Sequence, residues 1–86
     1  MFSVDFGSQA QKFLKKAEKQ LAQRLIERIE RLQEEPFPTD VKRVVNRKEK
    51  IFRIRVGDYR IQYSVLYEKN VIFISEIDKR PRAYWW

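Results

Sequence analysis

The sequence predicts an α+β domain of order β-α-α-β-β-β(-β), in which a helical hairpin packs on one face of a small, mainly antiparallel twisted sheet. Three observations carry this. An alternating stretch opens the chain, an amphipathic stretch with a 3.6-residue period follows as far as Leu32, and after Pro36 and Pro38 the apolar period changes to two. The 86 residues suffice for one domain, 1–86, with one core.

Phe2, Val4 and Phe6 alternate with Ser3 and Asp5, the period of a strand with one buried face. Gly7 ends that strand, and Ser8 with Gln11 three residues on reads as an N-cap and capping box. Phe13, Leu14, Ala17, Leu21, Leu25, Ile29 and Leu32 then recur three or four apart. No Gly or Pro interrupts this run, but about 25 residues is long for so small a domain, so two helices broken near Ala17 to Lys19 are expected. Glu27, Glu30 and Glu34 read as exposed partners of Arg24, Arg28 and Arg31 on the outer helical face. Pro36 and Pro38 end the helical region, because proline lacks the amide donor and restricts the residue before it. The stretch VKRVV suits a short edge strand, IFRIRV and YRIQYSVLY suit strands, and VIFISEI is apolar enough for a central position.

Gly57-Asp58 separates two alternating runs as a two-residue hairpin turn would, with glycine at its first central position. The pairing then follows: Val56 faces Tyr59, Arg55 faces Arg60, Ile54 faces Ile61 and Arg53 faces Gln62. Phe52, Ile54, Val56, Tyr59, Ile61 and Tyr63 form an apolar face for the helices to cover. On the other face Arg55 and Arg60 stand opposite each other, an unfavourable pair that an anion would relieve.

Composition sharpens the chemistry. With no cysteine and no histidine, the chain has neither disulfides, thiolate or imidazole metal ligands, nor the usual acid-base side chain near neutral pH. No metal and no cofactor are expected, since the P-loop and dinucleotide fingerprints are also missing and the carboxylates are scattered. No stretch of about 20 apolar residues is present, nor a basic-then-apolar leader, so no membrane association and a cytoplasmic location are the expectation. The net charge is +7, and it is concentrated: from Lys42 to Arg60 eight basic residues stand against Glu49 and Asp58, a local +6. Arginines can keep a sheet face soluble, but facing arginines flanked by a basic loop also form a forked donor array for phosphate. The ending DKRPRAYWW sets Tyr84, Trp85 and Trp86 beside cations, which suits stacking on bases and equally suits packing on the core or on a protein partner.

The order of elements, the segment IFRIRVGDYRIQYSV, the strand VIFISEI and the ending KRPRAY together resemble toxins of the RelE/ParE superfamily from toxin-antitoxin systems, over almost the whole chain. The resemblance is to the RelE-like mRNA interferase branch. It implies a ribosome-dependent endoribonuclease that enters the ribosomal A site and cuts translated mRNA without metal, by attack of a ribose 2′-hydroxyl on the adjacent phosphate. It further implies catalytic roles for Arg53, Arg55, Arg60, Arg80 and Tyr84, with Arg60 stabilising the transition state and Tyr84 orienting or stacking on the substrate. Arg43, Arg47, Lys48, Lys50 and Arg82 are candidates to grip RNA, and Arg82 is an alternative to Arg80 as the functional C-terminal arginine. Because a guanidinium stays protonated, Arg53 and Arg55 supply charge and leave the general base unassigned. The resemblance also implies a cognate RelB-like antitoxin. Two alternatives have other chemistry: a ParE-like inhibitor of DNA gyrase, and a non-catalytic RNA-binding relic.

Overall fold

The computed structural model describes residues 1–44 and 50–79. The expectations for Arg47, Lys48, Arg80, Arg82 and Tyr84 therefore lie outside the described residues. The elements follow the expected order: β1 (Ser3–Phe6), α1 (Ser8–Lys16), α2 (Lys19–Glu34), β2 (Lys42–Arg43), β3 (Phe52–Val56), β4 (Tyr59–Leu66) and β5 (Val71–Lys79), with a single 3-10 turn at Tyr67–Lys69 before β5. They build a five-stranded sheet in the order β1-β5-β4-β3-β2. Among the described residues only the β1–β5 pair is parallel, and β5 takes the interior position its apolar sequence suggests.

The helices break where expected, without glycine or proline. Ala17 and Glu18 are both extended, and the Ala17 amide closes α1 on the Phe13 carbonyl. The break lets the two helices take different partners: α1 lies against β5, while α2 reaches β1 and β3. The start of α1 departs from the capping box. Gly7 holds the N-cap position, Ser8 is already helical and no side chain caps the helix. Gln11 instead donates from Nε2 to the Phe6 carbonyl at 2.8 Å.

Leu25, Ile29 and Leu32 line one stripe of α2, and with Ala10 they pack on Ile54, Ile61, Tyr63, Ile72, Ile74 and Ile77 of the sheet. All ten are essentially inaccessible to solvent. The spacing in β5 departs from simple alternation. Tyr63 pairs with Ile74 but Gln62 pairs with Glu76, so Ser75 is a bulge residue, and its Oγ donates to the Gln62 carbonyl at 3.1 Å. Unbroken alternation from Ile72 and Ile74 would aim Glu76 and Asp78 into the core. The bulge reverses the phase, so that Ile77 is buried and the two carboxylates take the outer face.

Side chains secure both ends of this frame. At β1, the Phe2 amide donates to the Gln33 carbonyl while Gln33 Nε2 donates to the Phe2 carbonyl. β1 pairs with β5 only as far as Ile74, and beyond it the carboxamide of Gln9 acts as a surrogate strand. Its Nε2 donates to the Ile77 carbonyl at 2.7 Å and its Oε1 accepts from the Ile77 amide at 2.8 Å. The segment after α2 is pinned by Arg28, whose Nη2 lies 2.5 and 2.6 Å from the Asp40 carboxylate oxygens. Arg28 thus pairs across the connection, with Asp40, and not with the helical glutamates expected for it. Tyr63 Oη donates to the Pro36 carbonyl at 2.5 Å.

Gly57 has φ +58°, and a Cβ built there would lie 2.8 Å from an Arg24 Nη2. Gly57→Ala is expected to lower stability by about 1–2 kcal/mol in urea unfolding, with Gly57→Asn milder because Asn tolerates the left-handed region; an unchanged Ala midpoint would refute the assigned turn. Burial raises the pKa of the Tyr63 hydroxyl above the ordinary tyrosine value, with opposing smaller effects from Arg28 and Asp40. The unfolded chain ionises near pH 10 while the folded hydroxyl stays protonated, so this contribution is complete below about pH 10 and is lost as the pH rises further. Stability against pH in Tyr63→Phe should be flatter above about pH 10 than in the parent protein.

Candidate nucleic-acid interface

The β3–β4 register places the arginines as expected: Arg53 opposite Gln62 and Arg55 opposite Arg60, with Ile54 opposite Ile61 on the core side. β5 extends both outer rows, because Gln62 pairs with Glu76 and Arg60 with Asp78. Across strands, one row reads Lys42, Arg53, Gln62, Glu76 and the next Arg55, Arg60, Asp78. Directly opposed residues share a face.

The anion expected to relieve the facing arginines is therefore supplied by the chain itself. Arg60 Nε donates to Asp78 Oδ1 at 2.7 Å and Nη2 donates to Oδ2 at 3.2 Å, a bidentate ion pair. The two side chains keep 22% and 29% of their exposure, so the pair is shielded yet reachable. The hydrogen bond to Asp78 raises the Arg60 pKa against the opposing effect of desolvation, and the charges of Asp78 and Glu76 add to the rise. Arg53 is shifted the other way, first by burial and then by the positive charge of Arg60. Both guanidinium groups are cationic at neutral pH, so their chemistry is that of hydrogen-bond donors and positive charges and not of proton acceptors.

Arg55 is exposed and also borders a cleft of about 360 Å³ with Val56 and with Arg24, Glu27, Arg28 and Arg31 of α2. The basic surface thereby continues from β3 around to the helix. Among the RNA-gripping candidates, Arg43 pairs with Phe52 and takes the phase of the core-side row at the sheet edge, while Lys50 is exposed ahead of β3. The exposed residue of β2 that joins the arginine face is Lys42, opposite Arg53.

Lys42, Gln62, Glu76 and Asp78 were not among the sequence-derived site residues. For Asp78 a signal existed in the spacing of Ile72, Ile74 and Ile77, which implies the phase change that carries the carboxylate outward. A second, larger groove of about 570 Å³ lies elsewhere. Phe13, Ala17, Leu21 and Tyr59 line it together with Gln9, Glu18, Lys12, Lys16 and Lys79, and the arginine rows do not contribute to it. Phe13 and Tyr59 meet edge-to-face at 5.8 Å between ring centroids.

Comparison with known proteins agrees with this architecture. The model of the family described as ParE toxin of type II toxin-antitoxin system, parDE, matches residues 4–84. The RelE1 protein of Methanocaldococcus jannaschii is 34% identical over 86 residues, covering 96% of this chain and 94% of that protein. Among solved structures, the archaeal RelE-RelB complex from Pyrococcus horikoshii OT3 superposes with TM-score 0.80 at 32% identity, covering 94% of this chain and 97% of that one. The isolated E. coli RelE toxin has a TM-score of 0.81 at 23% identity, covering 95% and 87%, a likeness of fold. The chain thus belongs to the RelE/ParE superfamily of toxins from type II toxin-antitoxin systems.

Proposed function

We propose that this toxin is a ribosome-dependent endoribonuclease that cleaves translated mRNA in the ribosomal A site. The observation that carries the reading is the arginine face itself: Arg53, Arg55 and Arg60 on adjacent strands, with Arg60 held by a bidentate carboxylate pair. In the proposed reaction the 2′-hydroxyl of one nucleotide attacks the neighbouring phosphorus, and the 5′-oxygen of the next nucleotide leaves. The products are a 2′,3′-cyclic phosphate and a 5′-hydroxyl. The attacking hydroxyl gives up one proton and the leaving oxygen takes one, so no co-reactant is consumed. Negative charge grows on the phosphoryl oxygens in the transition state, and fixed cations aimed at that position stabilise it more than they stabilise the ground state. Arg60 is assigned that role, with Arg53 and Arg55 orienting the backbone. Roles for Arg80 or Arg82 and for Tyr84 in gripping and stacking the substrate belong to the same proposal, as do backbone contacts from Arg43, Arg47, Lys48 and Lys50. No general base is assigned within the arginine set.

The proposed partners are the ribosome with its mRNA and a cognate antitoxin, which requires a cytoplasmic location. Among the described residues no helix is long and apolar enough to cross a membrane. The groove floored by Phe13, Leu21 and Tyr59 and bordered by Lys12, Lys16 and Lys79 has the chemistry to receive an apolar segment carrying acidic residues. Solved relatives that include the RelE-RelB complex from Pyrococcus horikoshii support such a pairing.

The ParE-type reading, inhibition of DNA gyrase, is favoured by the description of the matching family model. One experiment separates the two. In cell-free translation, primer extension should map new mRNA 5′ ends within translated codons only when ribosomes are present. Arg60→Ala should lower the cleavage rate by about a hundredfold or more, the scale of losing one charge-stabilising donor. Absence of cuts with the parent protein, together with inhibition of gyrase supercoiling, would replace the nuclease reading.

A further inference from the structure

We propose that Asp78 is a positioning residue, holding Arg60 so that the far end of its guanidinium is presented to a phosphate. The inference rests on the reading of the arginine face as an RNA site. A guanidinium has five N–H donors arranged in a fixed plane. The pair with Asp78 uses the Nε edge, engaging Nε and one hydrogen of Nη2 at 2.7 and 3.2 Å. The Nη1–Nη2 end of the same plane keeps its own forked pair of donors, matched to two phosphoryl oxygens. One arginine can therefore hold the carboxylate along one edge and a phosphate at the other, and the carboxylate fixes the direction of the second fork.

The alternative role, an internal anion that substrate must displace, fits the surroundings less well. Asp78 is fixed at three levels. Its backbone is paired with Arg60, the Ser75 bulge sets its face, and its neighbour Ile77 is held through both backbone groups by Gln9. Arg55 stands across the strand from Arg60 on the side away from Asp78, and its like charge favours the orientation toward Asp78. Displacing such a pair would leave a partly shielded carboxylate beside RNA phosphate, with two like charges in contact. A row in which both anions bind different edges of one cation avoids this cost.

The test combines kinetics with an observation of Arg60 itself. Asp78→Asn keeps the side-chain shape and removes the charge. With saturating programmed ribosomes it is expected to lower the cleavage rate constant by about tenfold to a hundredfold, as misplacement of a reacting partner does. Half-saturation should change by no more than about twofold, since remote contacts supply ground-state binding. Asp78→Glu should recover part of the rate, and Asp78→Asn should cost nothing further in an Arg60→Ala background. An unchanged or faster rate, or an equal loss in both backgrounds, would overturn the proposal. In parallel, NMR of protein labelled with ¹⁵N-arginine would follow Arg60 on titration with a 2′-O-methyl RNA oligonucleotide, which cannot be cut. The Nη signals should shift while Nε–H keeps its slow exchange with water. Release of Nε–H to fast exchange, or no response of Arg60, would also overturn it. If the parent protein cuts nothing, the nuclease reading fails while the NMR experiment still decides the role of Asp78.

Discussion

Between Ile74 and Glu76, β5 has one residue more than β4 can pair, and the burial of Ile77 and the outward placement of Glu76 and Asp78 depend on that insertion. Ahead of the bulge the strand buries Ile72 and Ile74 by ordinary alternation, and beyond it the phase is reversed so that Ile77 completes the core. The same reversal delivers Asp78 to Arg60. Hydrophobic burial thus dictates the electrostatics: aiming two carboxylates at Leu and Ile side chains would cost several kcal/mol each in desolvation, far more than one unpaired bulge residue. Ser75 limits even that cost by donating its hydroxyl to the Gln62 carbonyl. Gln9 then stabilises the part of β5 that β1 no longer covers.

The local and periodic features of the fold were legible in the sequence. The hairpin register follows from the two-residue turn at Gly57-Asp58, and the Pro36 and Pro38 pair separates helices from strands. Features that depend on residues distant in sequence were not. Arg28 finds Asp40 twelve residues on instead of a helical neighbour, Gln9 meets Ile77, and Arg60 meets Asp78. A capping box expected at Ser8 gives way to Gly7, because the Gly7 amide is committed to the Ile74 carbonyl and thereby fixes where α1 can begin. At the site, alternation located Arg53, Arg55 and Arg60 on one face. It could not reveal that a two-residue edge strand brings Lys42 rather than Arg43 beside Arg53.

The site combines strong positive charge with a defined geometry, and it does so without a histidine. Arg60 is oriented by a carboxylate, Arg53 is partly buried, and Arg55 links the sheet face to the arginines of α2. Such an array is suited to a reaction in which charge develops on a phosphate and the nucleophile is already part of the substrate. In the proposed reaction the protein orients the RNA and stabilises charge, and it need not generate a nucleophile. A separate groove with an apolar floor and lysines at its border offers a second type of surface, so among the described residues the proposed RNA site and the proposed antitoxin groove share none.

The claim that the arginine face promotes attack by the substrate's own hydroxyl is tested most directly by removing that hydroxyl. Ribosomes would be programmed with an mRNA carrying a single 2′-deoxynucleotide on the 5′ side of a mapped cleavage bond, and the rate at that bond compared with the all-ribose message. Cleavage at this bond is expected to disappear while all-ribose mRNA still yields 5′-hydroxyl ends. Cleavage that persists at the deoxy position, or products bearing a 5′-phosphate, would contradict it.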